Sequence, residues 1–186
     1  CNSYFSHIYR LAVDNPRLNG TTNGYLKWKQ YMNSYGLGVK LGVDLPSEDK
    51  GLIADTSFYN RLYNRSWSSC TNVFLGIGQG EIQATPMQMA NAMCLIANRG
   101  WYYTPHFVKN IDGETPEDTV LNKYRQKISP LHIPNDYYQA VIDGMEMVVT
   151  NGTARNAQID GFAVCAKTGT VENYFRNAKQ QNHSFF

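Results

Sequence analysis

The chain has 186 residues, 42% of them apolar and 17% charged, which fits a packed globular domain and excludes a disordered polymer. Its net charge of +2, with no run of Lys or Arg, argues against a nucleic-acid partner. The longest apolar runs, such as residues 93–97, are too short to cross a bilayer and no signal peptide is visible, so any membrane anchor is expected outside these residues.

In chain order, Phe5, Ile8, Tyr9 and Ala12 repeat at helical spacing, and the breaker-rich stretch 14–20 ends that helix. Cys1 invites two readings, an N-terminal nucleophile or a lipidated cysteine. A helix that begins at once, over residues 4–13, argues against both. Tyr25, Trp28, Tyr31, Met32 and Tyr35 form a second helical stripe, with Gly36 as its C-terminal glycine. Gly42-Val43-Asp44-Leu45-Pro46-Ser47-Glu48 is turn-rich, and residues 49–73, without a clear period, are expected to form an extended surface loop. Gly76-Ile77-Gly78-Gln79-Gly80 is a poor match to a nucleotide loop: no helix opens directly after it and no Lys-Ser/Thr ending follows. Its glycines predict tight backbone packing instead. Thr85, Pro86 and Gln88 predict a capped helix start, with Met89, Ala92, Met93, Ile96 and Ala97 inside and Gly100 at the end.

Residues 101–108 suggest a short extended segment, and 109–130 a polar loop with a turn at Asp112-Gly113. Pro134 opens another helix, with Tyr138, Val141, Ile142, Met145, Val148 and Val149 on one face and Gly152 at its end. The apolar run 162–166 then leads into Lys167-Thr168-Gly169-Thr170, which is expected to extend a β-strand. Residues 172–179 read as a polar connection and 182–186 as the start of a returning strand. Cys70, Cys94, Cys165 and Cys1 form no CxxC pair and no zinc spacing with His7, His106, His132 or His183. Cys94 and Cys165 lie in apolar runs and are expected to be buried. Helices with so little sheet suggest part of a larger α+β domain.

The Lys167-Thr168-Gly169-Thr170 set is chemically coherent. The lysine supplies positive charge, the two threonines supply hydroxyls for a carboxylate, and Gly169 clears room for a ligand backbone. With Gly42-x-Asp44-Leu45-Pro46-x-Glu48, the Gly76–80 turn, Thr85-Pro86-Met87-Gln88, Ala97-Asn98-Arg99-Gly100 and Gly152-Thr153-Ala154, in that order, it resembles the transpeptidase domain of penicillin-binding proteins. The details look most like class B, cell-elongation-type members, and the resemblance covers nearly the whole chain. It implies helices packed on an antiparallel sheet of the penicillin-binding-protein and serine β-lactamase type, most of it outside this chain. Residues 1–186 are then the C-terminal part of such a domain, truncated at both ends. The family's Ser-x-x-Lys, with the nucleophile, is expected upstream and taken as absent here. Cys1-Asn2 fits the last two positions of its Ser-x-Asn.

For the intact protein the resemblance implies a peptidoglycan D,D-transpeptidase working through a serine acyl-enzyme, with peptidoglycan stem peptides as substrate and β-lactams as inhibitors. Lys167 and Asn2 would be catalytic, and Thr168, Gly169 and Thr170 would bind substrate. No metal or organic cofactor is implied. A membrane glycan polymerase is the expected partner, and the domain is expected to be periplasmic or extracytoplasmic. Two other readings remain open: a serine β-lactamase, and a non-catalytic domain of the same fold that binds or senses peptidoglycan.

Overall fold

Aromatic rings form the core of residues 1–131. A computed structural model describes residues 2–113, 119–171, 174–175, 178–179 and 183–185. They fall into two units, Cys1–Leu131 and His132–Phe186. In the first, α1 (Asn2–Val13) buries Tyr9 and Val13, and α2 (Thr21–Ser34) buries Gly24 and Tyr25. Between them Asn15 accepts a hydrogen bond from the Arg17 N–H and opens a short 3-10 turn at Pro16–Leu18. The two helices touch backbone to backbone: a Cβ on Gly24 would lie 1.8 Å from the Val13 carbonyl oxygen. The predicted end of α2 holds, with Gly36 at φ +86° just beyond Tyr35.

The Tyr25 ring meets Trp28 at 5.8 Å, Tyr59 at 5.4 Å and Trp67 at 5.7 Å between centroids. Buried hydroxyls need partners, and these tyrosines find them. Tyr25 donates to the Ala54 carbonyl (2.6 Å), Tyr9 to Asn72 Oδ1 (3.0 Å) and Tyr59 to Glu81 Oε2 (3.0 Å). Burial pushes the Tyr25 phenol up to about 12 and raises those of Tyr9 and Tyr59 as well.

This core corrects the reading of residues 49–73 as a surface loop. They contain β1 (Leu52–Ile53) and α3 (Thr56–Leu62), and they place Tyr59, Ser69 and Asn72 inside, with Trp67 packed against them. The elements are too short to show a period, and the aromatic side chains rather than the backbone pattern carry the burial. β1 pairs antiparallel with β2 (Ile82–Gln83).

The start of α4 (Pro86–Ala97) is the predicted capping box: Gln88 N–H donates to Thr85 Oγ1 and Thr85 N–H to Gln88 Oε1. The buried face differs from the expected one. Gln88, Asn91, Ala92 and Leu95 point inward, while Met89 and Met93 are 37% and 43% exposed. The cause is Gln88, which is 1% exposed and whose Nε2 donates to the carbonyls of Val39 (2.7 Å) and Lys50 (2.9 Å). Once residue 88 faces inward, 91, 92 and 95 follow at helical spacing. Cys94 is turned outward and is exposed, contrary to expectation. Gln88→Ala should therefore destabilise the fold by about 2 kcal/mol, since it removes the donor to two part-buried carbonyls and half of a capping box. Chemical denaturation would show this as a lower midpoint at unchanged slope.

The chain leaves α4 through left-handed Arg99 and Gly100. β3 (Tyr102–Tyr103) then pairs with β4 (Lys127–Ile128), which lies after α5 (Thr119–Asn122) in the stretch expected to be a loop. The expected turn at Asp112-Gly113 is present, with Gly113 at φ +87°.

In the second unit α6 (Asn135–Thr150) begins after Pro134 and buries Tyr138 and Val149. Val141, expected inside, is 49% exposed. A 3-10 turn at Arg155–Ala157 follows. β5 (Gly169–Val171) pairs antiparallel with β8 (His183–Phe185), which is the predicted returning strand. β6 (Tyr174–Phe175) pairs with β7 (Ala178–Lys179) where only a polar connection was expected. The described residues thus form a helix-rich α+β arrangement with small antiparallel sheets. Among them no helix is long and apolar enough to cross a membrane.

Candidate functional site

Lys167-Thr168-Gly169-Thr170 enters a strand later than its sequence suggests. β5 starts at Gly169, so the apolar run 162–166 is not strand. That run is held by a helix instead. The Ala166 N–H donates to the Met145 carbonyl (3.1 Å), and the exposed Cys165 thiol contacts the Ile142 carbonyl (3.8 Å). The Cys165 thiol, expected to be buried, is exposed. From Gly169 the backbone is laddered to β8, with Gly169 opposite Phe185, Thr170 opposite Ser184 and Val171 opposite His183.

Lys167 is exposed, and its Nζ donates to the Thr168 carbonyl at 2.6 Å. Thr168 is half-buried and Gly169 exposed. Lys167, Thr168, Gly169 and Thr170 therefore form one contiguous element at the mouth of the β5–β8 ladder. Chemically the element offers a cation and backbone amides to an anionic or carbonyl-bearing ligand. Asn2 is the exposed first residue of α1 and belongs to the other unit.

One four-letter pattern taken as absent does occur. Ser47-Glu48-Asp49-Lys50 has the Ser-x-x-Lys spacing. A serine and lysine three apart face each other only on a helix. Here residues 46–47 form a turn, 48–50 have no helical structure, and both Ser47 and Lys50 are exposed. The pattern gives no nucleophile–base pair.

The Gly42–Glu48 segment has structural work that sequence reading missed. Glu48 closes the turn by accepting from the Leu41 and Gly42 N–H groups at 2.5 and 3.0 Å. Asp44 reaches across the fold and accepts from the Val108 N–H at 2.8 Å and the Phe107 N–H at 3.0 Å. Those amides, with the nearby His106, hold the Asp44 carboxyl below its usual range. A carboxylate whose folded pKa is depressed stabilises the fold above its unfolded value, and that contribution is lost as pH falls through the folded value. Asp44→Asn should accordingly lower the melting temperature at pH 7. The gap from wild type should shrink as the pH drops below about 4. A gap independent of pH would mean that the carboxylate's charge plays no part.

The glycine-rich turn also reads as packing. Residues Val73–Ile77 form a 3-10 segment against α1, and a Cβ on Gly76 would meet Tyr9 Cβ at 2.6 Å. Gly76 thus meets the expectation of tight packing, whereas a Cβ on Gly78 would meet nothing within 4 Å and one on Gly80 nothing nearer than 3.7 Å.

Comparison with known proteins places these features. The model of the penicillin binding protein transpeptidase domain matches residues 1–186. The peptidoglycan D,D-transpeptidase MrdA of Acinetobacter baumannii is 34% identical over 175 residues, which are 92% of this chain and 24% of that protein. PBP2 of Pseudomonas aeruginosa, solved in complex with WCK 5153, is similar with a TM-score of 0.69 at 28% identity, over 91% of this chain and 36% of that one. PBP2 of Helicobacter pylori, solved in complex with MreC, also gives 0.69, at 27% identity, over 98% of this chain and 30% of that one. The chain spans about a quarter of the length of the curated relatives it matches.

Proposed function

We propose, since this chain belongs to the penicillin-binding protein transpeptidase domain family, that the protein carrying it is a peptidoglycan D,D-transpeptidase of the cell-elongation type. The observation that carries this reading is the family match over residues 1–186, with Lys167-Thr168-Gly169-Thr170 running into the β5–β8 ladder.

The reaction is acyl transfer through a serine that lies outside these residues. Its Oγ attacks the penultimate carbonyl of a D-Ala-D-Ala stem peptide, the terminal D-Ala leaves as the amine, and a second stem's amine then displaces the serine. Lys167 stabilises the substrate carboxylate and supports proton transfer. The hydroxyls of Thr168 and Thr170 bind that carboxylate, and Gly169 admits the peptide backbone. The Thr170 N–H is one oxyanion donor, a contribution of about 3 kcal/mol where such a donor has been removed. Asn2 orients the substrate amide. β-Lactams acylate the same serine because their strained amide occupies the place of the scissile bond. No step needs a metal or organic cofactor. The substrate fixes the location outside the cytoplasm. A membrane glycan polymerase is the natural partner, and MreC, named in the Helicobacter pylori complex, is a second candidate.

Labelling of the full gene product with fluorescent penicillin tests this. A covalent band that competes with unlabelled penicillin and depends on an upstream serine is expected. No label, or an upstream Ala or Gly at the nucleophile position, would turn the reading to a non-catalytic domain. Rapid nitrocefin turnover would turn it to a β-lactamase.

A further inference from the structure

Asn-Gly occurs three times in the chain, at Asn19-Gly20, Asn23-Gly24 and Asn151-Gly152. Such a pair can react with itself. The glycine nitrogen, with no adjacent side chain to shield it, attacks the asparagine Cγ, and ammonia leaves as a five-membered succinimide closes. Attack needs a free glycine N–H, a free asparagine side chain, and a ψ that turns the glycine nitrogen toward Cγ. The fold sorts the three pairs on these terms. Asn23 lies inside α2 and its Nδ2 donates to the Asn19 carbonyl (3.4 Å), while the Gly24 N–H donates to the Gly20 carbonyl (3.1 Å). Asn19 is exposed, but its left-handed backbone, with ψ of 45°, sets the Gly20 nitrogen nearly opposite its Cβ. Its carbonyl, which turns with ψ, holds the Asn23 amide. Asn151 meets the three terms more nearly. It is the exposed residue that follows α6, and its ψ of −5° is closer to the reactive turn. Among the described residues no hydrogen bond engages its side chain or the Gly152 N–H. One exposed bond restrains it: Arg155 Nη2 donates to the Asn151 carbonyl at 2.9 Å.

We propose that Asn151-Gly152 is a self-modification site, at which the folded protein ages by cyclisation while the fold keeps Asn19 and Asn23 intact. The Gly152 nitrogen gives its proton to solvent base and bonds to Asn151 Cγ as ammonia departs. Water then opens the succinimide at one carbonyl or the other, leaving aspartate or isoaspartate. No oxidation or reduction occurs, and water is the one co-reactant. Either product places a carboxylate at the C-terminal end of α6, where the helix dipole disfavours negative charge. Isoaspartate also adds a backbone atom just ahead of Gly152-Thr153-Ala154. The site is independent of the transpeptidase reading, because it follows from the local backbone whatever reaction the protein performs.

The test holds the full-length protein for days in mildly alkaline buffer, then maps its peptides by tandem mass spectrometry, so that the three sites are read side by side. In the folded protein Asn151 should convert at least about tenfold faster than Asn23, which reacts only when α2 opens. Asn19 should also lag behind Asn151. In denaturant, where the fold no longer sorts them, the three rates should converge. Arg155→Ala, which frees the Asn151 carbonyl, should speed conversion at residue 151 and leave residues 19 and 23 as they were. Asn151→Gln should abolish conversion in that peptide, since the larger ring closes far more slowly. Asn151 intact in the folded protein, at a time when the denatured chain has reacted, overturns the proposal. Equal rates at residue 151 and at either other site in the folded protein overturn it as well.

Discussion

Lys167→Ala in the full-length protein is expected to reduce penicillin acylation by about a thousandfold or more. On the proposed roles, the substitution removes a proton-transfer group, worth about 10²- to 10⁴-fold, together with the cation that holds the substrate carboxylate. The side chain is exposed, and its one described bond is to the Thr168 carbonyl, so the fold should be little affected. A melting temperature within about 3 °C of wild type is expected, as for other surface changes. Lys167→Arg separates the two roles. Arginine keeps the charge that holds a carboxylate but does not give up its proton. Binding of substrate should survive better than acylation. Unaltered labelling of the Ala variant would remove Lys167 from the site.

The largest stability effect is expected at Gly24. An added methyl there would stand 1.8 Å from the Val13 carbonyl oxygen and 2.6 Å from its carbon. Both are backbone atoms, so no rotamer change can relieve the clash; α1 and α2 must separate. That separation would loosen the ring cluster around Tyr25, Trp28 and Tyr9. Gly24→Ala should cost about 3 kcal/mol or more, the upper end for overpacking. Gly144→Ala is the control. An added Cβ there meets nothing within 4 Å, and residue 144 lies inside α6. This change should stabilise by up to about 1 kcal/mol through helix propensity alone. Denaturant midpoints moving in opposite directions would separate close packing from intrinsic glycine effects.

Much of this was legible in the residues, and the failures share a cause. Breakers and caps speak through local chemistry, so the ends of α1 and α2, the Thr85–Gln88 box and the onset of α6 could be read directly. The returning strand at residues 183–185 was visible as a polar-to-apolar change. The inward face of α4 was not, because it follows from one amide, Gln88, whose partners Val39 and Lys50 lie far away in sequence. An apolar stripe weighs Met89 and Met93 above a glutamine, and the glutamine prevailed. Residues 162–166, read as strand from their apolar content, contact α6 through the Ala166 N–H and the Cys165 thiol, and neither contact is visible in residue types. The four-residue set at Lys167 was legible as chemistry.

The two hydrogen bonds from Gln88 bear on how freely this chain can be altered. They tie residue 39 to residue 50, so the intervening loop is gathered at its neck whatever its contour beyond. Near the outermost stretch Leu45, Pro46 and Ser47 are exposed. Lengthening a flexible loop adds closure entropy only logarithmically, about 0.6 kcal/mol per doubling. Residues inserted at that tip would lengthen the loop without moving its neck. New surface can therefore be grown only between Asp44 and Glu48, whose bonds to the Phe107 and Val108 amides and to the Leu41 and Gly42 amides pin the segment on either side of its tip.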